Sequence, residues 1–122
     1  MSVMSANQSM VEMSETLIVI TNCPDEPTAE RIARTVVEQR LAACVNRLAS
    51  VHSTYRWQGR IENAVEVPLL IKTTRARYAD LEAAIRSLHP YSVPEIIAIP
   101  AAGGYPPYLG WVDEETQPPL LA

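Results

Sequence analysis

Phenylalanine is absent from this 122-residue chain, lysine occurs only once, as Lys72, and there are just two cysteines and four glycines. Each shortage removes a class of protein. Two cysteines cannot form the disulfide framework of a small secreted scaffold, nor give a zinc ion four thiolates. Ten Lys and Arg against 14 Asp and Glu leave a net charge of −4. That balance excludes nucleic acid and a polybasic membrane surface as expected partners, because both depend on clustered cations. No apolar run approaches the roughly 20 residues that span a bilayer. The first 14 residues, MSVMSANQSMVEMS, lack the basic and apolar regions of a secretory signal. Residues 1–14 read as a polar, mobile tail, in which Met4, Met10 and Met13 leave the translation start open, and 15–122 as one domain. The expected compartment is the cytoplasm, with reduced thiols. The glycines form neither a P-loop nor a dinucleotide fingerprint, and no Ser/His/Asp set or zinc-finger spacing occurs. No enzyme is expected.

What is present is an aliphatic chain, 48% hydrophobic, whose aromatic rings are five Tyr and two Trp. Each ring carries a polar group, which suits interfaces and pocket walls as much as a core edge. Thr16–Thr21 is a continuous apolar run and reads as a buried central strand. Pro27 fits the first turn of a helix, and Asp25, Glu26 and Glu30 stand where acids favour the helix dipole. Ala29, Ile32, Ala33, Val36, Val37 and Leu41 then follow the helical period, to an end near Ala43. Cys44–Gln58 alternates, with Val51, Ser53, Tyr55 and Trp57 on one face and His52, Thr54, Arg56 and Gln58 on the other. A turn between Gln58 and Asn63 leads into a strand ending near Lys72, in which Pro68 marks an edge or a bulge. A second helix is predicted over Arg75–Leu88, with Thr74 as N-cap and Pro90 beyond its end. Ile96–Pro100 reads as the last strand and Tyr108–Glu115 as a short terminal helix. The order β-α-β-β-α-β predicts an α+β, ferredoxin-like sandwich with two helices on one sheet face. The other face then needs cover, and self-association supplies it.

PDEPTAERIA, RLAACVN, STYRWQGRIE, LLIKT, HPYSVPEIIAIP and YLGW, in this order between Thr16 and Val112, resemble the CutA family of divalent-cation tolerance proteins. The resemblance implies a homotrimer of ferredoxin-like subunits, akin in architecture to PII signalling proteins. It implies a role in the response to metal ions and the binding of Cu2+ or another divalent cation, with no enzymatic activity. It implies a copper site built from a cysteine late in the first strand and a His-His pair before Pro-Tyr. Thr21 stands at the cysteine position and Leu88 at the first histidine, so His89 is the metal candidate carried over. A weak site would need carboxylates, water or groups from neighbouring subunits to complete it.

Among the soft ligands, Cys23 and Cys44 flank the first helix. A helix of about 16 residues is about 24 Å long, whereas a disulfide needs Cα atoms within about 7 Å. The two are not expected to bond or to share a metal. Cys44 reads as a small buried residue closing the helix-to-strand junction, or as a thiol ligand. Cys23 reads as an accessible loop thiol, and the neighbouring helix N-terminus would lower its pKa. His89 reads as a ligand or as a residue fixing the helix-to-loop corner, and His52 as a surface residue. Tyr55, Trp57, Lys72, Tyr91, Glu95, Tyr108 and Trp111 read as a pocket between subunits, with Lys72 and Glu95 as a charge pair, or as the trimer interface alone. The acidic run Asp113–Glu115 reads as a solvated end.

Overall fold

The computed structural model describes residues 13–119, so residues 1–12 of the tail expected at 1–14 lie outside the described residues. The elements are β1 (Thr16–Cys23), α1 (Glu26–Glu38), β2 (Cys44–Arg47), β3 (Val51–Trp57), β4 (Arg60–Thr74), α2 (Arg75–Leu88), β5 (Ile97–Pro100) and α3 (Pro106–Glu115). The sheet runs β2-β4-β1-β5, with every neighbour antiparallel, and β3 pairs with the first half of β4. This is the expected ferredoxin-like α+β arrangement. β1 is central because it is flanked by β4 on one side and β5 on the other and its apolar run packs one face on the helices. Leu17, Val19, Thr21 and Cys23 are buried on one face, while Ile18, Ile20 and Asn22 are half-buried on the other. Against the first face pack Ile32 and Val36 of α1, Leu81 and Ile85 of α2, and Leu69 and Ile71 of β4, all fully buried. Each such side chain contributes about 1.5–3 kcal/mol on leaving water.

The helix ends show where local signals prevail and where distant residues replace them. Asp25 caps α1, its Oδ1 accepting from the Thr28 N–H at 2.9 Å. α1 stops at Glu38, five residues short of the expected Ala43, and Val37 is exposed rather than in the core. The stop is a Schellman turn: Leu41 N–H donates to Val36 O, Arg40 N–H to Val37 O, and Arg40 adopts φ +60°. No glycine marks it. Arg40 is tied down instead, its guanidinium donating to Glu114 O at 2.9 Å in the last turn of α3 and to Gln117 O at 2.8 Å just beyond it. α2 has the expected bounds, but the Thr74 hydroxyl lies 3.5 Å from the Thr116 hydroxyl and caps nothing. The Ala76 N–H donates to Ser14 Oγ at 2.8 Å, and Ser14 N–H donates to Asp113 Oδ1 at 3.3 Å. Ser14 therefore belongs to the fold and not to a tail. Asp113, with Glu115 near Arg40 at 3.8 Å, fastens α3 to the sheet rather than forming only a solvated end.

The predicted strand Cys44–Gln58 is two strands. Leu48–Ser50, three residues, stand opposite Val67 and Pro68, two residues. Pro68 causes the break. In an antiparallel ladder a residue's N–H and C=O point the same way, and Pro68 O accepts from Leu48 N–H at 3.0 Å. Its absent N–H thus faces the end of β2. Pro68 lies inside a strand flanked on both sides, at a bulge and not at an edge. The extra residue flips the register, so Ser53, Tyr55 and Trp57 stand on the face of Glu66 and Asn22 and not on that of the helices. The hairpin closes tightly through Gln58 (φ +51°) and Gly59 (φ +81°), a turn narrower than the expected Gln58–Asn63.

Candidate functional site

That register places Tyr55 and Trp57 of β3, Glu66 of β4 and Asn22 of β1 around one cleft of about 380 Å³. The segment joining α2 to β5 closes it with Tyr91, Ser92, Val93 and Glu95. A chain of hydrogen bonds sets its floor. Tyr91 donates its hydroxyl to Glu66 Oε2 at 3.1 Å, and Asn22 Nδ2 donates to Glu95 Oε1 at 3.1 Å. His89, 6% exposed, stands between them. Its Nδ1 accepts from the Tyr91 N–H at 3.2 Å, so its Nε2 carries the proton and donates to Asn22 O at 2.6 Å. The two rings pack at 4.6 Å between centroids. Burial first, and then the Glu66 hydrogen bond and charge, push the Tyr91 phenol up to about 12.

Of the residues picked out from the sequence, the cleft gathers Tyr55, Trp57, Tyr91 and Glu95. It leaves out Lys72, whose ammonium donates to Asn46 Oδ1 near the other end of β1 and β4. The expected Lys72–Glu95 pair does not form within the chain, because four residues of β1 separate their positions on the sheet. Tyr108 and Trp111 form a separate pair on α3, 5.6 Å between centroids, with the Tyr108 hydroxyl beside Cys44. Tyr108 is raised by burial and then by Cys44. His52 is exposed, as expected.

One chemical expectation is corrected. Cys23 is the last residue of β1 and fully buried, not a loop thiol. Burial, then Asp25 and Glu66, raise it to about 11, away from the thiolate form. Cys44 opens β2 half-buried, and both thiols are free. Within the single chain His89 engages both ring nitrogens with backbone partners, the geometry of a residue that fixes the helix-to-loop corner. Among the described residues no group of three or more His, Cys, Asp and Glu could hold a metal ion.

Sequence reasoning missed Glu66 and Asn22. Glu66 belongs to the alternation of its strand, but which face that alternation presents depends on the bulge opposite Pro68. Asn22 enters through register with Pro68 and through its backbone carbonyl, neither of which has a local signal.

A family model described as "CutA1 divalent ion tolerance protein" matches residues 17–115. The divalent-cation tolerance protein CutA of Thermus thermophilus is 46% identical over 99 residues, 81% of this chain and 96% of that protein. Protein CutA of Mus musculus is 50% identical over 95 residues, 78% of this chain. Our chain thus spans only about half (54%) of that longer relative. The crystal structure of CutA from Xylella fastidiosa superposes with a TM-score of 0.83 at 44% identity, covering 85% of this chain and all of that one. The chain therefore belongs to the CutA1 family of divalent ion tolerance proteins.

Proposed function

We propose that the chain serves divalent-cation tolerance as a non-enzymatic homotrimer in the cytoplasm. It engages Cu2+ or another divalent cation weakly, through carboxylates, water or groups brought together where subunits meet. The observation that carries the assembly is the helix-free face of the sheet. There Ile97 and Ile99, 52% and 46% exposed, stand beside Ile20 and Ile18 in one aliphatic strip. An antiparallel sheet tolerates water on one face where that face is polar; this strip of it is not. Three subunits follow from the family resemblance. The weakness of metal binding follows from the engaged ring of His89. Native mass spectrometry with and without Cu2+ and Zn2+ tests both parts. The expected result is a three-subunit particle that takes up metal only at high concentration. A single subunit at micromolar concentration refutes the assembly, and one tightly held ion per subunit refutes weak binding.

A second reading has its own observation. The aromatic cleft is large enough for a small molecule, as in a PII-like trimer whose clefts bind a ligand. Under this reading a thermal-shift screen finds its largest stabilisation with an organic compound, by mass action. Shifts confined to Cu2+ or Zn2+ count against it.

A further inference from the structure

We propose that the cleft binds a small organic ammonium cation, held between the Tyr55 and Trp57 rings and the carboxylates of Glu66 and Glu95. This inference rests on the second reading above and names the ligand class.

Charge comes first. Among the described residues of this chain, Glu66 and Glu95 are the only acidic side chains that line the cleft, and no Arg or Lys does. An anion would enter against two carboxyl groups with nothing to receive it. Glu66 supplies an independent observation. It is only 7% exposed, and Tyr91 bonds one of its oxygens. Its other oxygen has no partner among the described residues and is the part that the cleft reaches, since it is not sealed from solvent. That leftover acceptor capacity suits a positive charge that carries N–H or polarised C–H groups.

The walls choose between kinds of cation. Indole and phenol faces attract alkylammonium groups, which are weakly hydrated. Mg2+ or Ca2+ instead asks for six or more oxygens and keeps what water it can, and Cu2+ or Zn2+ asks for imidazole or thiolate, which no residue lining the cleft supplies. The cleft offers two carboxylates, one of them already engaged by Asn22. At about 380 Å³ it is far larger than an ion and lies within the range of small-molecule sites.

The test uses the full chain in its native assembly, with calorimetry and Trp fluorescence as readouts. The probes are choline, n-butylammonium, ATP and 3,3-dimethylbutan-1-ol, the uncharged isostere of choline. The expected result is saturable binding of at least one ammonium, with the neutral isostere weaker by about tenfold or more. Glu66→Gln, which keeps shape and removes charge, weakens the ammonium about tenfold and leaves the isostere unchanged. Trp57→Leu, at an exposed position, weakens the ammonium too and decides the matter if the Gln variant does not fold. The proposal is overturned if neither ammonium saturates, if the isostere binds equally well, or if a folded variant binds as the wild type does. Saturation by ATP alone overturns it while leaving the cleft reading intact. Binding of no probe by the cleft, together with a blank thermal-shift screen, removes both.

Discussion

Thr21 carries, among the described residues, the one buried side-chain oxygen without a hydrogen-bond partner. It is fully buried on the helix-facing side of β1, between Val19 and Cys23 on its own strand and opposite Leu69 of β4. An unsatisfied buried hydroxyl costs about 1–3 kcal/mol, so Thr21→Val is expected to stabilise the chain by about 1 kcal/mol or more. Urea unfolding measures this, and a loss of stability would show that the hydroxyl has a partner. Asp25 makes a prediction about pH. Its hydrogen bonds to Thr28 hold its carboxyl below the ordinary carboxylate range, near 3.9. A group depressed on folding contributes stability above its unfolded pKa and loses it as pH falls through the folded value. Asp25→Asn keeps a cap without the titration. The stability gap between wild type and variant should therefore be constant at neutral pH and close below about pH 4. A gap independent of pH down to 2 would contradict the assignment. Asp25 was legible in part: its place at the first turn of α1 could be read, as a partner of the helix dipole, while the hydrogen bond that makes it the cap came from the structure. Cys23 was misread because its burial is decided by β4 and not by its neighbours in the chain.

At the scale of elements, positions with unusual backbone geometry control the outcome. The β3–β4 turn holds Gly59 at φ +81°, and a Cβ there would meet nothing within 4 Å. The cost of Gly59→Ala is thus purely conformational, about 1–2 kcal/mol, and appears in urea unfolding with the sheet intact by circular dichroism. The start of α2 depends on Ser14, 62 residues away in sequence from the N–H it caps. Ser14→Ala should cost about 1 kcal/mol, and hydrogen exchange should quicken first at Ala76 and its neighbours. If exchange there is unchanged, Thr74 is the cap after all. The period of α2 sufficed to give its bounds to the residue. For α1 it overran by five residues, because the Schellman turn uses Arg40 where a reader looks for glycine. The carbonyls that make Arg40 tolerable belong to the end of α3 and the residues just after it.

For the whole molecule, the open aliphatic strip is the decisive feature. Ile99→Glu places a charge in its centre, beside Ile18. In the homotrimer proposed above, that carboxylate would be buried without a partner, which costs several kcal/mol per subunit. The expected outcome is dissociation to folded or partly folded monomers in analytical ultracentrifugation at micromolar concentration. Retention of the wild-type particle would show that this face is not where subunits meet. The cleft is a property of the same scale. Four of its residues could be named in advance from composition and resemblance, while its two anchoring groups, Glu66 and Asn22, could not.

Hydrophobic period, proline position and local caps determined the element order, the central β1 and the ferredoxin-like sandwich, since each depends on residues within a few places of one another. The tertiary structure alone decided that one extra residue opposite Pro68 turns Tyr55 and Trp57 toward Glu66. It alone decided that both nitrogens of His89 are spent on the backbone, and that Cys23 is sealed in the core. Cys23 pairs with Val67, 44 positions on, His89 bonds Asn22, 67 positions back, and the face that β3 presents is set by its register on β4, about none of which a short stretch of sequence carries information.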